Sequence, residues 1–154
     1  MKTIPTTLLI ALASLALSPA RAQDNPAAKK DQAQLQGAWT MVSGSADGSP
    51  VPDAMLSDCK RVCKEGETTV TLGGQLFLKA KFTLDPSKKP KTIDYAVTEG
   101  TNKGKTQLGI YEIDGDTLKF CFAAPEKPRP AEFASKAESG HTLSVWKREK
   151  KKEK

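Results

Sequence analysis

The sequence is poor in the side chains that carry most catalytic chemistry. Its 154 residues include a single histidine, His141, and three cysteines. A Ser-His-Asp or Cys-His site needs that histidine beside a nucleophile, and the nearby Ser135 and Ser139 lie in a loop without an elbow motif. The Cys-x-x-Cys-His motif of c-type haem attachment is missing. We therefore expect no catalytic site and no cofactor, and a protein that is not an enzyme.

Spacings typical of metal sites are missing as well. Cys59, Cys63, Cys121 and His141 are ligand types that zinc accepts in tetrahedral sites. However, a Cys-x-x-x-Cys pair on an extended strand holds its two thiols too far apart, and no zinc-finger spacing is present. We therefore expect no metal site.

Long hydrophobic runs are scarce. The run Leu8–Leu17 has ten residues, which is too short to cross a bilayer core of ~30 Å as a helix. It follows Lys2 and precedes Ala20-Arg21-Ala22, which places small residues where a signal peptidase requires them. We predict a signal peptide over residues 1–22, cleaved after Ala22, and a secreted or periplasmic protein that does not span the membrane.

A basic face is also missing. The chain has 24 basic and 18 acidic residues, and 22 basic residues remain without Lys2 and Arg21. The last eight residues hold six basic and two acidic side chains, so the body over 23–146 is balanced at 16 against 16. Nucleic-acid-binding domains usually carry a basic stripe on the fold itself. We therefore expect no nucleic-acid partner, and we predict a basic disordered tail over 149–154.

The pattern of residues that is present is typical of an all-β domain. Residues 23–34 are polar and predict a linker or a short fraying helix. After them, short alternating runs are separated by turn residues such as Gly73-Gly74. The predicted strands are 39–44, 59–64, 68–72, 75–84, 92–98, 105–113, 117–123 and 141–148. Sequential short links favour an antiparallel up-and-down meander over residues 35–148, and closure into a barrel removes its exposed edges.

The alternation also predicts which side chains point inward. The residues expected to line the barrel and bound any ligand are Leu78, Phe82, Tyr95, Val97, Ile110, Phe120 and Phe122. The same face is expected to include Leu72, Leu76, Leu84, Ile93, Leu108, Leu118, Leu143 and Val145. An eight-stranded barrel is either filled by its side chains or holds one small ligand, and the sequence leaves both interpretations open. Any ligand should be hydrophobic, with Tyr95 as its one polar contact.

Three cysteines in an oxidising compartment allow one disulfide. On an extended strand, Cys59 and Cys63 would lie about 13 Å apart, from ~3.3 Å per residue, whereas a disulfide needs Cα atoms within ~7 Å. The disulfide would then join Cys121 to Cys59 or to Cys63. If the segment is bent or helical, Cys59 and Cys63 could meet each other.

The chain from Leu35 to Glu149 closely resembles an uncharacterised lipocalin-like domain of secreted planctomycete-type bacterial proteins. The matching phrases are "LQGAWTMVSGSADGSPVP", "VTLGG", "FTLDPSKKPKTIDYAVTEGTNKGKTQLGIYEIDGDTLKFCFAAPEKPRPAEFAS" and "SGHTLSVWKRE". The resemblance implies a lipocalin-like barrel, with no established activity. Cys121 falls where this family often has a cysteine, and Cys59 and Cys63 depart from the family pattern.

The start of the first strand resembles the Gly-X-Trp motif of lipocalins more broadly. The resemblance implies that Gly37 lets the chain turn at one barrel end and that the Trp39 indole closes that end. Arg148, or alternatively Lys147, would then stack on the indole. These residues are expected to be structural.

The proline-rich loop "PEKPRPAEF" over 125–133 is the second candidate surface. Lys127, Arg129 and Phe133 could bind a partner there. Alternatively, the loop is a strap across a barrel end with Phe133 in the core. The leading functional hypothesis is a secreted binding module for a small apolar ligand in the barrel. The alternative is an extracytoplasmic protein–protein or inhibitor-like module that acts through its loops.

Overall fold

The computed structural model describes residues 25–150 and confirms the predicted all-β class. Eight antiparallel strands in chain order form a closed up-and-down barrel. The predicted signal peptide and residues 151–154 of the predicted tail lie outside the described residues. Within the predicted tail, Glu149 is held to the barrel, because its N–H donates to the Ala38 carbonyl at 2.8 Å and its carboxylate pairs with Lys60 at 2.8 Å.

Residues 25–150 form nine strands and two helices. The helices are α1 (Pro26–Leu35) and α2 (Asp53–Leu56). The strands are β1 (Gly37–Ala46), β2 (Ser49–Pro50), β3 (Cys59–Lys64), β4 (Glu67–Leu72), β5 (Gln75–Asp85), β6 (Thr92–Gly100), β7 (Thr106–Asp114), β8 (Thr117–Phe122) and β9 (Thr142–Arg148). The two-residue β2 folds back on β1 as an extra strand, and the pairing of β1 with β9 closes the ring of the other eight. Each predicted strand is present.

The segment predicted as a linker or a short fraying helix is helical from Pro26 to Leu35. The Asn25 carboxamide accepts the Ala27 N–H at 2.9 Å, and Pro26 follows the cap, which is a favoured helix start. Asp31 is buried and accepts hydrogen bonds from the Tyr111 hydroxyl at 2.7 Å and the Lys91 ammonium at 2.9 Å. These contacts fix α1 against one end of the barrel.

The Trp39 indole and the Arg148 guanidinium meet at the end that α1 covers. Trp39 is fully buried and donates its Nε1–H to the Leu35 carbonyl at 2.9 Å. The Arg148 guanidinium lies 4.2 Å from the indole centroid. Gly37 has φ +116°, and a Cβ there would stand 3.4 Å from Arg148 Nη1. Glycine adopts this positive φ without strain and has no Cβ, so Gly37 allows the close approach of the Arg148 guanidinium.

The inward faces of β7 and β9 differ from the predicted ones. Phe120 on β8 faces the interior, and it pairs with Tyr111 on β7 and with Ser144 on β9. Paired residues share a face of the sheet, so Tyr111 and Ser144 point inward and Ile110 points outward. The predicted inward orientation is therefore wrong for four residues: Leu108, Ile110, Leu143 and Val145.

The segment 123–141, here called the strap, explains why Ile110 is nevertheless 1 % exposed. The strap runs along the outer wall, and Arg129 in it donates to the Gly109 carbonyl at 2.8 Å and pairs with Asp94 at 2.7 Å. Farther along, the Ala134 carbonyl accepts from the Cys121 thiol at 3.4 Å. The strap therefore buries an apolar patch outside the barrel and does not cross a barrel end.

Leu76 was also expected to point inward and is 45 % exposed. The register between β4 and β5 shifts so that Val70 pairs with Leu78 while the adjacent Thr71 pairs with Leu76. Phe77 is the extra residue of this β-bulge. The bulge reverses the faces on its N-terminal side, which turns Leu76 to the outside.

We predict that Trp39→Ala lowers the free energy of unfolding by about 3–5 kcal/mol, the range for deleting large buried aromatic side chains. The change removes a fully buried indole together with its stacking against Arg148. Urea denaturation measures the loss. Val42→Ala, on the same strand but 43 % exposed, is the control and should change stability by ~0.5 kcal/mol or less. Equal losses in the two variants would contradict the role of Trp39 as an end plug.

Candidate functional site

A cavity of about 330 Å³ lies inside the barrel. Most of its wall is apolar, and its side chains come from the interior faces of the strands and from the segment around α2. The apolar lining includes Met41, Val51, Met55, Val70, Leu72, Phe77, Leu78, Phe122 and Trp146. The polar members are Arg61, Tyr95, Thr101, Asn102, Gln107, Thr142 and Ser144. Met55 and Phe77 are 40 % and 48 % exposed, so the cavity reaches the surface between them. It opens at the barrel end opposite the Trp39 plug.

The least expected side chain in the wall is Arg61 on β3. It is 5 % exposed, because Cys59 and Cys63 on the same face of the strand are also buried and set the alternation. Its Nη1 donates to the Thr68 hydroxyl at 2.9 Å and to the Tyr95 hydroxyl at 2.7 Å. Its Nε has no hydrogen-bond partner.

Aromatic rings supply the rest of the environment of Arg61. The guanidinium carbon lies 4.5 Å from the Trp146 centroid and 4.7 Å from the Phe120 centroid. Cation–π contacts of this kind contribute about 0.5–2 kcal/mol each, whereas removing an ion from water costs several kcal/mol. None of the ion pairs among residues 25–150 includes Arg61. The interior therefore holds a cation that is only partly compensated.

Titratable groups near Arg61 do not supply the missing negative charge at neutral pH. Burial raises the pKa of the Tyr95 hydroxyl to about 12, although Arg61 opposes the shift. Burial likewise raises the pKa of the Cys59 and Cys63 thiols. These three groups are neutral, so Arg61 retains an unbalanced positive charge.

Tyr95 and Phe122 form one wall of the cavity, with ring centroids 4.1 Å apart. Gly109 on β7 makes room for them, since a Cβ at that position would stand 2.5 Å from the Phe122 ring. The glycine inside this strand thus has a packing role, as an isolated strand glycine often does.

The residues predicted to line the interior separate into three groups. Leu78, Tyr95 and Phe122 line the cavity. Phe82, Val97 and Phe120 are buried elsewhere in the barrel core. Ile110 lies outside the barrel, under the strap. Arg61, Trp146 and Ser144 also line the interior, although they were not predicted to do so. For Arg61 a signal was present, because Cys59, Arg61 and Cys63 alternate along a predicted strand and therefore share one face.

The predicted disulfide between Cys121 and Cys59 or Cys63 is not formed, and the three thiols are free. Cys59 and Cys63 face the barrel interior. Cys121 lies on the outer face of β8, where its thiol donates to the strap. The sheet itself separates the two positions, so no pairing with Cys121 is possible without refolding a strand.

The predicted partner-binding residues of the strap are not displayed together. Lys127 is exposed. Arg129 is engaged with Asp94 and with two main-chain carbonyls, those of Ile93 and Gly109. Phe133 is half-buried on the outer wall, where the Lys119 ammonium lies 5.2 Å from its ring, and it does not enter the barrel core.

Two larger clefts lie on the outside of the barrel. One, of about 720 Å³, lies between α1 and the outer faces of β5 and β6. The other, of about 550 Å³, lies beside the strap. Their walls mix charged and polar side chains with apolar surface, and the Asp94 carboxylate, which lines both clefts and has a buried Oδ1, is paired with Arg129 at 2.7 Å. Neither contains a buried, unpaired ionic group comparable to Arg61.

Comparison with protein-family models, with curated proteins and with solved structures gives no match to this chain. Among residues 25–150, no helix has the length and apolar character needed to cross a membrane.

We predict that the two tyrosines of the chain do not ionise near pH 10 in the folded protein. Burial raises the pKa of Tyr95 to about 12, and burial together with the hydrogen bond to Asp31 raises that of Tyr111. The folded state therefore keeps protons that the unfolded state loses, so stability is complete below about pH 10 and falls as pH rises toward 12. The ultraviolet tyrosinate band, followed with pH with and without urea, measures this. Half-ionisation of the folded protein near pH 10 would contradict the burial of both hydroxyls.

Proposed function

We propose that the protein is an extracytoplasmic binding module that takes one small apolar molecule into its barrel. The observation that carries this proposal is the interior cavity of about 330 Å³ with a predominantly apolar wall. Its volume is at the lower end of the range for small-molecule sites, about 300–1,000 Å³. The predicted signal peptide supports the location.

The mouth of the cavity supports the same function. Met55 and Phe77 stand at its rim and are exposed. Large exposed apolar side chains next to a cavity are typical of a ligand entrance. The flexible thioether of Met55 can also adapt to different ligand shapes.

The alternative of a protein partner on the strap has less support. Arg129, one of the two cations predicted to bind a partner there, is already paired with Asp94 at 2.7 Å, and its guanidinium holds the strap to the wall. The strap residues that remain exposed present no apolar patch beside them comparable to the cavity rim.

We predict that Leu72→Trp weakens the binding of decanol by about tenfold or more. Leu72 lines the cavity, and a larger side chain there would exclude part of the alkyl chain. Excluding about two methylene groups costs ~1.6 kcal/mol, and ~1.4 kcal/mol corresponds to tenfold. Titration calorimetry measures the affinity.

Thr71→Trp is the matched control, because Thr71 is the adjacent residue of β4 and faces the outside. It should bind decanol as the unmodified protein does, and near-ultraviolet circular dichroism checks that both variants are folded. The proposed function is wrong if the unmodified protein binds neither decanol nor decanoate, or if Leu72→Trp leaves the affinity unchanged.

A further inference from the structure

We propose that the ligand is an amphiphile with a carboxylate head group, and that Arg61 binds this carboxylate inside the barrel. The inference rests on the proposed function, since it names the chemical class of the molecule that occupies the same cavity. It also fixes the orientation of the ligand. The alkyl part faces the rim at Met55 and Phe77, and the carboxylate lies at the inner end of the cavity, beside Arg61.

The geometry of the guanidinium supports the proposal. Arg61 lines the cavity and is 95 % buried, being 5 % exposed. Among the described residues, both of its hydrogen bonds leave from Nη1, toward Thr68 and Tyr95. The Nε–H has no partner. The Nε–H and Nη2–H of a guanidinium form a planar fork that matches a carboxylate with two parallel hydrogen bonds. Because Nε is itself fully buried, a carboxylate at this fork displaces the side chains packed against it.

The neighbours of Arg61 orient this fork and leave its charge uncompensated. Trp146 and Phe120 contact the guanidinium carbon at 4.5 and 4.7 Å, and the two hydroxyl acceptors hold Nη1. No carboxylate among residues 25–150 forms an ion pair with it. A buried, oriented and unpaired cation is what an anion-binding site requires before the anion arrives.

The single charge and the small volume restrict the head group. One guanidinium neutralises one negative charge, so a monoanion leaves the interior electrically balanced, whereas a phosphate monoester would bring a second charge without a partner. The wall around the rest of the 330 Å³ cavity is mainly apolar. These conditions favour a carboxylate on a short hydrocarbon body.

The test compares three probes with the same alkyl chain and different head groups on the unmodified protein. Decanoate, decanol and decylamine are titrated calorimetrically at neutral pH. We expect decanoate to bind on the order of tenfold to a hundredfold more tightly than decanol, the effect of hydrogen bonds to a charged group. Decylamine should bind most weakly, because its cation would face Arg61.

Variants of Arg61 test the assignment to this side chain. In Arg61→Gln, decanoate should lose its advantage and bind about as weakly as decanol. Lys64→Gln, on the exposed face of the same strand, is the control for net charge and should keep the preference. In Arg61→Met, the ligand-free protein should melt at the same temperature or higher, because an apolar side chain replaces an uncompensated buried charge.

The outcomes separate this inference from the proposed function. Binding of decanol as tight as that of decanoate by the unmodified protein overturns the carboxylate assignment and leaves the cavity function in place. Binding of neither probe overturns both. A decanoate preference that survives in Arg61→Gln, or a lowered melting temperature of Arg61→Met with an unchanged preference, overturns the role of Arg61.

Discussion

The barrel is closed where β1 pairs with β9, and one end of this seam is fixed by the Arg148 guanidinium. Its Nη1 and Nη2 donate to the Gln36 and Gln34 carbonyls at 2.7 and 2.6 Å, its Nε donates to Asp116 at 3.1 Å, and its plane lies over Trp39. One side chain therefore joins the last strand, the end of α1 and the first strand. Carbonyl groups left without partners where a helix ends need donors, and here the closing strand supplies them. The position of α1, and the closure of this end, follow from that contact.

With one end closed, the free volume of the interior lies toward the other end. Bulky side chains fill the barrel from Trp39 up to the level of Phe120 and Trp146. Beyond these two side chains the barrel interior contains the cavity. Gly109 and the bulge at Phe77 shape that upper part. Gly109 lets Phe122 lie close against β7, and the bulge places an aromatic side chain at the rim. An eight-stranded barrel has little space to spare, so these local features decide whether a ligand can enter.

The strand order and the barrel class could be predicted because they depend on turn residues and short alternating runs, which are local. Which side chains of a strand point inward could be predicted only where the other face of the strand is exposed to water. On β7 and β8 the strap covers the outer wall, so Ile110 and Cys121 are buried although they point away from the interior, and alternation alone does not distinguish the two sides. On β9 the two buried positions are Ser144 and Trp146, whereas the alternation of the aliphatic residues Leu143 and Val145 predicted the opposite face as the inward one. Arg61 was missed for a different reason: a charged residue is normally taken as exposed, and only its place between two buried cysteines indicates otherwise.

Two arginines of this barrel stack on its two tryptophans, and the contrast between them separates structure from function. Arg148 on Trp39 has hydrogen-bond partners for all three of its nitrogens and a carboxylate beside it, so it completes the closed end. Arg61 on Trp146 has partners only at Nη1 and lies against a cavity. Closure of the barrel does not require a cation at that level, since an apolar side chain would fill the same space without the loss of hydration. The ligand-free fold thus carries an energetic cost at Arg61, and an anion entering through the open end is what would offset it.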